Sequence, residues 1–275
     1  MTTTVAPTAP SAAPAFVASG SGLSFAGLLR SEWIKLRTVR STIWSYATVI
    51  VISLGLALLM SSTLTLQGVQ VAESEQANWM IQVSTFGIIF GQLVVAVLGV
   101  LSISGEYSTG MVRSSLTAVP RRLPVLAAKA IVLFVSTFIV GLLSVLGSYL
   151  VAAPIMAGKD LSGSLTDPDL FLPLLNASLY LSLVAVFGLG IGTILRSSAG
   201  GIAATLGVIL LLPTVLQLIP AAWVSDVMPY ILSNAGMASF LLGGTMEPWQ
   251  NLFIVLGWVV VALVGAAVLL KRRDA

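Results

Sequence analysis

The sequence predicts an all-α integral membrane protein with six transmembrane helices. Three observations lead there. The chain of 275 residues is 57% hydrophobic and 8% charged, against about 25% charged in an average soluble domain. Its apolar residues gather in six long stretches of about 20 residues or more, the length a helix needs to cross a hydrocarbon core of roughly 30 Å. Its basic residues collect on one side of those runs. In lipid the backbone must satisfy its own hydrogen bonds, so such runs are helices. The predicted spans are Thr42–Leu66, Met80–Ser104, Ala130–Ala153, Leu170–Leu195, Ala199–Ile219 and Asn251–Leu270.

Residues 1–22 are rich in Ala, Pro, Ser and Thr and carry no charge. They lack the basic start and compact apolar centre of a secretory signal and are expected to form a disordered tail. Residues 23–275 then form a single membrane domain. Phe25–Ser41 carries an apolar stripe of Phe25, Leu28, Leu29, Trp33, Leu36 and Val39, with Arg30 and Arg37 opposite. This is the pattern of an amphipathic helix lying in the membrane surface. Glu32 breaks the pattern by falling on the apolar side, where Lys35, three residues on, can pair with it.

Between spans, Arg30, Lys35, Arg37, Arg40, Arg113, Arg121, Arg122, Lys129, Arg196, Lys271, Arg272 and Arg273 lie on one side and Lys159 alone on the other. The bias toward the cytoplasm places both termini inside. The segment Pro229–Gly244 competes as a seventh span, but it is short, broken by Asn234 and Gly236, and would put Lys271–Arg273 outside. A re-entrant or interfacial helical pair on the outer face, between spans five and six, is the reading that length and charge favour.

The loop between spans two and three runs from Gly105 through Glu106, Gly110, Arg113, Leu116, Pro120 and Arg121 to Lys129. Val112, Leu116 and Val119 fall on one edge of a short helix, and Pro120 punctuates the chain before the next. Such a loop either rests at the interface or passes a push from a soluble partner to the spans. Glu106 sits at the end of span two, where a carboxylate opposes the helix dipole. It calls for a basic partner, with Arg113 or an arginine of the surface helix as candidates.

Within the spans Gln92, Asn176 and Gln217 are the larger polar residues and candidates to line a path or to bind helices together. Gly87 with Gly91, and Gly188 with Gly192, are spaced for close helix packing. Pro213 should kink span five. Asp226 and Glu247 stand among aromatics in the outer segment and are candidates for an outer gate.

The absence of cysteine and histidine excludes thiolate chemistry, cysteine-ligated metals, serine–histidine triads and the commonest metal ligand. No G-x-x-x-x-G-K-[ST] phosphate loop is present, so the chain is not read as an enzyme or as binding a cofactor itself. No acidic residue sits near the centre of a span, as ion-driven carriers often require. A secondary carrier driven by an ion gradient nevertheless stays as the alternative.

The run Ser31-Glu32-Trp33-Ile34-Lys35-Leu36-Arg37-Thr38 resembles the inner-surface elbow helix of type-2 ABC exporter permeases. The Glu106, Gly110, Leu116, Pro120, Arg121 and Lys129 pattern is similar to their first coupling loop, although Met111 stands where that family often has threonine. The resemblance implies a permease subunit in the bacterial plasma membrane, paired with a second permease subunit. It implies a cytoplasmic ABC ATPase as partner, holding ATP and Mg and engaging the coupling loop, with membrane lipid around the spans and no nucleic acid. It implies export of drugs, antibiotics, peptides, lipids, polysaccharides or ions.

Overall fold

A computed structural model describes residues 24–64, 71–109, 122–241 and 246–272. Gly110, Arg113, Leu116, Pro120 and Arg121 lie outside the described residues, as do residues 1–22. The described chain is helical: α1 (Phe25–Thr38), α2 (Arg40–Thr63), α3 (Glu73–Thr85), α4 (Ile88–Thr109), α5 (Arg122–Ala157), α6 (Pro168–Leu195), α7 (Ser198–Leu206), α8 (Leu212–Gln217), α9 (Ala222–Val227), α10 (Leu232–Ala238) and α11 (Pro248–Arg272). Among the described residues six helical stretches are long and apolar enough to cross a membrane, in the six places the sequence indicates. Most extend past the predicted ends, because polar and basic residues continue the helix beyond the apolar run.

Helix α1 starts at Ser24, whose Oγ accepts a hydrogen bond from the Gly27 N–H at 3.1 Å. This cap satisfies one of the donors a helix start leaves open. It ends at Val39, whose extended backbone turns the chain straight into α2. The second span is α3 followed by α4, interrupted only at Phe86 and Gly87. The third, α5, has 36 residues and is roughly 54 Å long at 1.5 Å per residue. It therefore outruns the hydrocarbon.

Helices α4 and α6 form the most extensive contact in the bundle, and small residues make it possible. A Cβ on Gly99 would stand 2.0 Å from the Ala185 carbonyl oxygen, and one on Gly188 2.4 Å from that of Ala96. A Cβ on Gly192 would be 3.0 Å from the Val100 oxygen. Backbone meets backbone here, which is the use of small residues in membranes. Gly87 serves likewise, since a Cβ there would stand 2.4 Å from Ser53 Cα, whereas one on Gly91 would make only ordinary contacts. Helix α6 is the hub, with an almost unbroken buried run from Ser182 to Gly190.

Span five is α7, one π-helical turn over Gly207–Leu211, and α8. Pro213 has no N–H to give to the preceding turn. The π turn absorbs the defect by letting the Leu212 N–H reach the Gly207 carbonyl, a known way for a helix to reset its register. Lys159 explains itself locally. Its ammonium donates to the carbonyls of Ser61 at 2.6 Å and Ser62 at 3.2 Å, and also to Leu64. It thereby caps the carbonyl end of α2, where a cation is favoured.

Candidate functional site: an ion-pair ring joining three helices

Three segments far apart in sequence bring four charged side chains together. Glu32 and Lys35 come from α1, Glu106 from the last turn of α4 and Lys129 from the second turn of α5. Lys35 Nζ lies 2.6 Å from Glu32 Oε1 and 3.1 Å from Glu106 Oε1. Lys129 Nζ lies 2.6 Å from Glu32 Oε2 and 2.9 Å from Glu106 Oε1. Each lysine bridges both glutamates, so the four close a ring of alternating charge.

The ring is largely dry. Side-chain exposure is 6% for Glu32, 7% for Lys129, 11% for Glu106 and 27% for Lys35. Isolated charges at such burial would cost several kcal/mol each. Two carboxylates and two ammoniums sum to zero, and each ammonium donates to both carboxylates. Burial alone pushes the Glu32 carboxyl up, but the Lys129 and Lys35 ammoniums outweigh it and hold the group below its ordinary value of 4.5. Burial likewise pushes the Lys35 ammonium down, and its hydrogen bonds and proximity to Glu32 and Glu106 outweigh that, raising it above 10.5.

Glu32 thus falls on the apolar side of α1 because that side faces the bundle. Its pairing with Lys35 is the one the spacing indicates. Among the described residues Glu106 is met by Lys35 of the surface helix and by Lys129; Arg113, one of the partners the sequence offered, lies outside the described residues. Trp33 and Arg37 stand exposed on α1. The sequence reading linked Glu106 to the surface helix as one option; what it missed is that Glu32, Lys35, Glu106 and Lys129 form one site. The available signal was charge out of pattern: an acid in an apolar stripe, and an acid and a base at the facing ends of two spans.

The remaining candidates separate from one another. Gln92 is buried between α4 and α6. Its Nε2 donates to the Ile89 carbonyl at 3.1 Å, and the Tyr180 hydroxyl donates to its Oε1. Asn176 Nδ2 donates to the Ser239 carbonyl at 2.9 Å and so ties α6 to the chain after α10. Gln217, Asp226 and Glu247 are exposed. Near the last turn of α4 the Arg196 guanidinium lies 5.3 Å from the centre of the Tyr107 ring, within cation–π range.

The profile of a family described as ABC-2 family transporter protein matches residues 27–275, from the third residue of α1 onward. The chain belongs to that family. No curated protein matches it. The ABC-2 chain is accordingly a multi-pass membrane protein and a transporter permease, a transport subunit that is not itself catalytic. Membership also implies, in general terms, partnership with an ABC ATPase subunit.

Proposed function

We propose that this chain forms the substrate pathway of an ATP-driven exporter, pairs with a second permease subunit and is moved by a cytoplasmic ATPase holding ATP and Mg. The observation that carries the reading is the ring. It fastens α1 to the ends of α4 and α5, which are the two ends of the loop that resembles a coupling loop. Force applied to that loop reaches α1 and both spans together, because sliding one element alone would separate buried charges. The twelve-to-one distribution of basic residues supports cytoplasmic termini in the bacterial plasma membrane. The carbonyl-capping role of Lys159 accounts for the lone exception.

On this reading α1 is the elbow helix in the inner membrane surface. The pair α9 and α10 dips in from the outer face. A Cβ on Gly236 would stand 1.9 Å from the Tyr180 ring, and Tyr180 lies roughly 18 Å along α6 at 1.5 Å per residue. Trp258 Nε1 donates to the Tyr230 carbonyl at 2.9 Å from roughly 15 Å along α11. Both contacts support a re-entrant pair, with exposed Asp226 and Glu247 at the outer mouth. Gln92 serves as helix glue beneath it. The cargo class follows the family: drugs, antibiotics, peptides, lipids, polysaccharides or ions.

The test is co-expression with the cognate ATPase subunit, comparing wild type with Leu116→Asp, Glu106→Gln and Lys129→Met. Leu116→Asp should lose the ATPase on purification. The two ring variants should keep it but lose the response of its ATP hydrolysis to reconstitution in lipid. Ring variants that hydrolyse ATP with the wild-type response would refute the coupling role. A chain that moves cargo down an imposed ion gradient without any ATPase would refute the energy source.

A further inference from the structure

A cavity of 430 Å³ lies against the ring, enclosed by α1, the start of α2, the inner half of α4 and the start of α5. Its size falls within the range of ligand sites. The walls are aliphatic, formed by Leu36, Val39, Leu98, Leu101, Val132 and Leu133, and the ring closes one end. Thr38, Val39 and Ser41 also line it and are exposed, so it is reachable from outside the bundle beside the surface helix. A greasy chamber with a charged end, open at the membrane surface, has the polarity of an amphiphile.

The sign of the headgroup follows from the residues around the opening. Lys35 Nζ donates to Glu32 and Glu106, leaving the third of its ammonium protons available, and its side chain is 27% exposed. Arg37 and Arg40 flank the lining residues in sequence, are exposed, and have no ion-pair partner among the described residues. The ring itself is neutral, and the charges that adjoin the lining residues along the chain, Arg37 and Arg40, are both positive. Basic pockets between membrane helices take anionic lipid headgroups.

We propose that the cavity holds one acyl chain of a net-negative membrane phospholipid, its phosphate met by Lys35 and by the arginines of the α1–α2 junction. The lipid is a resident ligand, filling the space that lets α1 lie against the spans. This inference needs neither the direction of the bundle nor a partner ATPase, so it stands or falls apart from the coupling role.

The full chain, purified and stripped with detergent, is titrated with phosphatidylglycerol and separately with phosphatidylcholine. Native mass spectrometry reads bound lipid and thermal unfolding reads its effect. Wild type should retain phosphatidylglycerol preferentially and unfold several degrees higher with it. Leu101→Trp, which fills the cavity, should lose that retention, while Val51→Trp on the exposed face of α2 should keep it. Arg37→Gln with Arg40→Gln, both at exposed positions, should weaken retention roughly tenfold or more and erase the preference for the anionic head. Equal retention by Leu101→Trp and wild type, or no preference between the two lipids, would overturn the proposal. ATP-dependent translocation of labelled phosphatidylglycerol by the assembled transporter would make the lipid cargo and overturn its resident role.

Discussion

Replacing Lys129 by methionine tests whether the ring behaves as one unit. The substitution keeps the length of the side chain and removes its charge. It breaks two ion pairs, at 2.6 and 2.9 Å, among groups exposed by 6 to 11%. Removing one partner of a buried pair costs about 3–5 kcal/mol, most of it the penalty of the charge left behind. Lys35 still bridges both carboxylates, so the low end, about 3 kcal/mol, applies. Lys35→Met removes a partner that is 27% exposed, where water takes over part of its role, and should cost about 1 kcal/mol or less. Adding Glu32→Gln to Lys129→Met should recover part of the loss, because the stranded carboxylate is then gone; the pair should deviate from additivity by about 1–3 kcal/mol. Thermal unfolding in lipid nanodiscs measures the order of the variants. Equal losses for Lys129→Met and Lys35→Met, or strict additivity in the Glu32–Lys129 cycle, would refute the ring as a cooperative buried cluster.

The ring also sets a pH window. The Glu32 carboxyl is depressed, so its contribution is present above its ordinary value of 4.5 and is lost as pH falls through the lower folded value; the Lys35 ammonium is raised, so its contribution is complete below 10.5 and is lost as pH rises through the higher folded value. Unfolding temperature should therefore lose the ring's contribution at the acid and alkaline extremes, and Glu32→Gln with Lys129→Met should flatten the acid limb. Gly99→Ala sets a new methyl 2.0 Å from a backbone oxygen of α6 and should cost about 1–3 kcal/mol, whereas Gly55→Ala, with nothing within 4 Å, should be neutral or stabilising by up to about 1 kcal/mol. Equal effects of the two in the same unfolding assay would count against backbone contact between α4 and α6. Gly236→Ala should lift α10 off Tyr180 and expose Asn234 and Ser239 to hydrogen exchange, and Tyr180→Ala should relieve it; a loss unchanged by the second substitution would count against the seat.

The local signals in the sequence were strong where one element carries its own evidence. The six spans follow from apolar length alone, since any run long enough to cross lipid must be helical to satisfy its backbone. Pro213 announced a defect in span five, and the π turn is the form it takes. The Glu32–Lys35 pair follows from spacing on one helix. The spacings of Gly87, Gly188 and Gly192 announced close approach, though not which helix would approach. Positions 110, 113, 116, 120 and 121, in the loop that resembles a coupling loop, lie outside the described residues.

The sequence by itself determined the solvent of this protein, the number of its spans and the side on which its charges gather, because those properties are sums along the chain. Only the tertiary structure decided that Glu32, Lys35, Glu106 and Lys129 are one object, that Gln92 is sealed against Tyr180, and that a chamber lies beside the ring. The physical reason is range. Periodicity and composition report which face of a helix is greasy, but an ion pair between residues 32 and 129 depends on how three helices cross. Which helices meet at that crossing is a property of the whole bundle, and spacing along one helix does not name its neighbour.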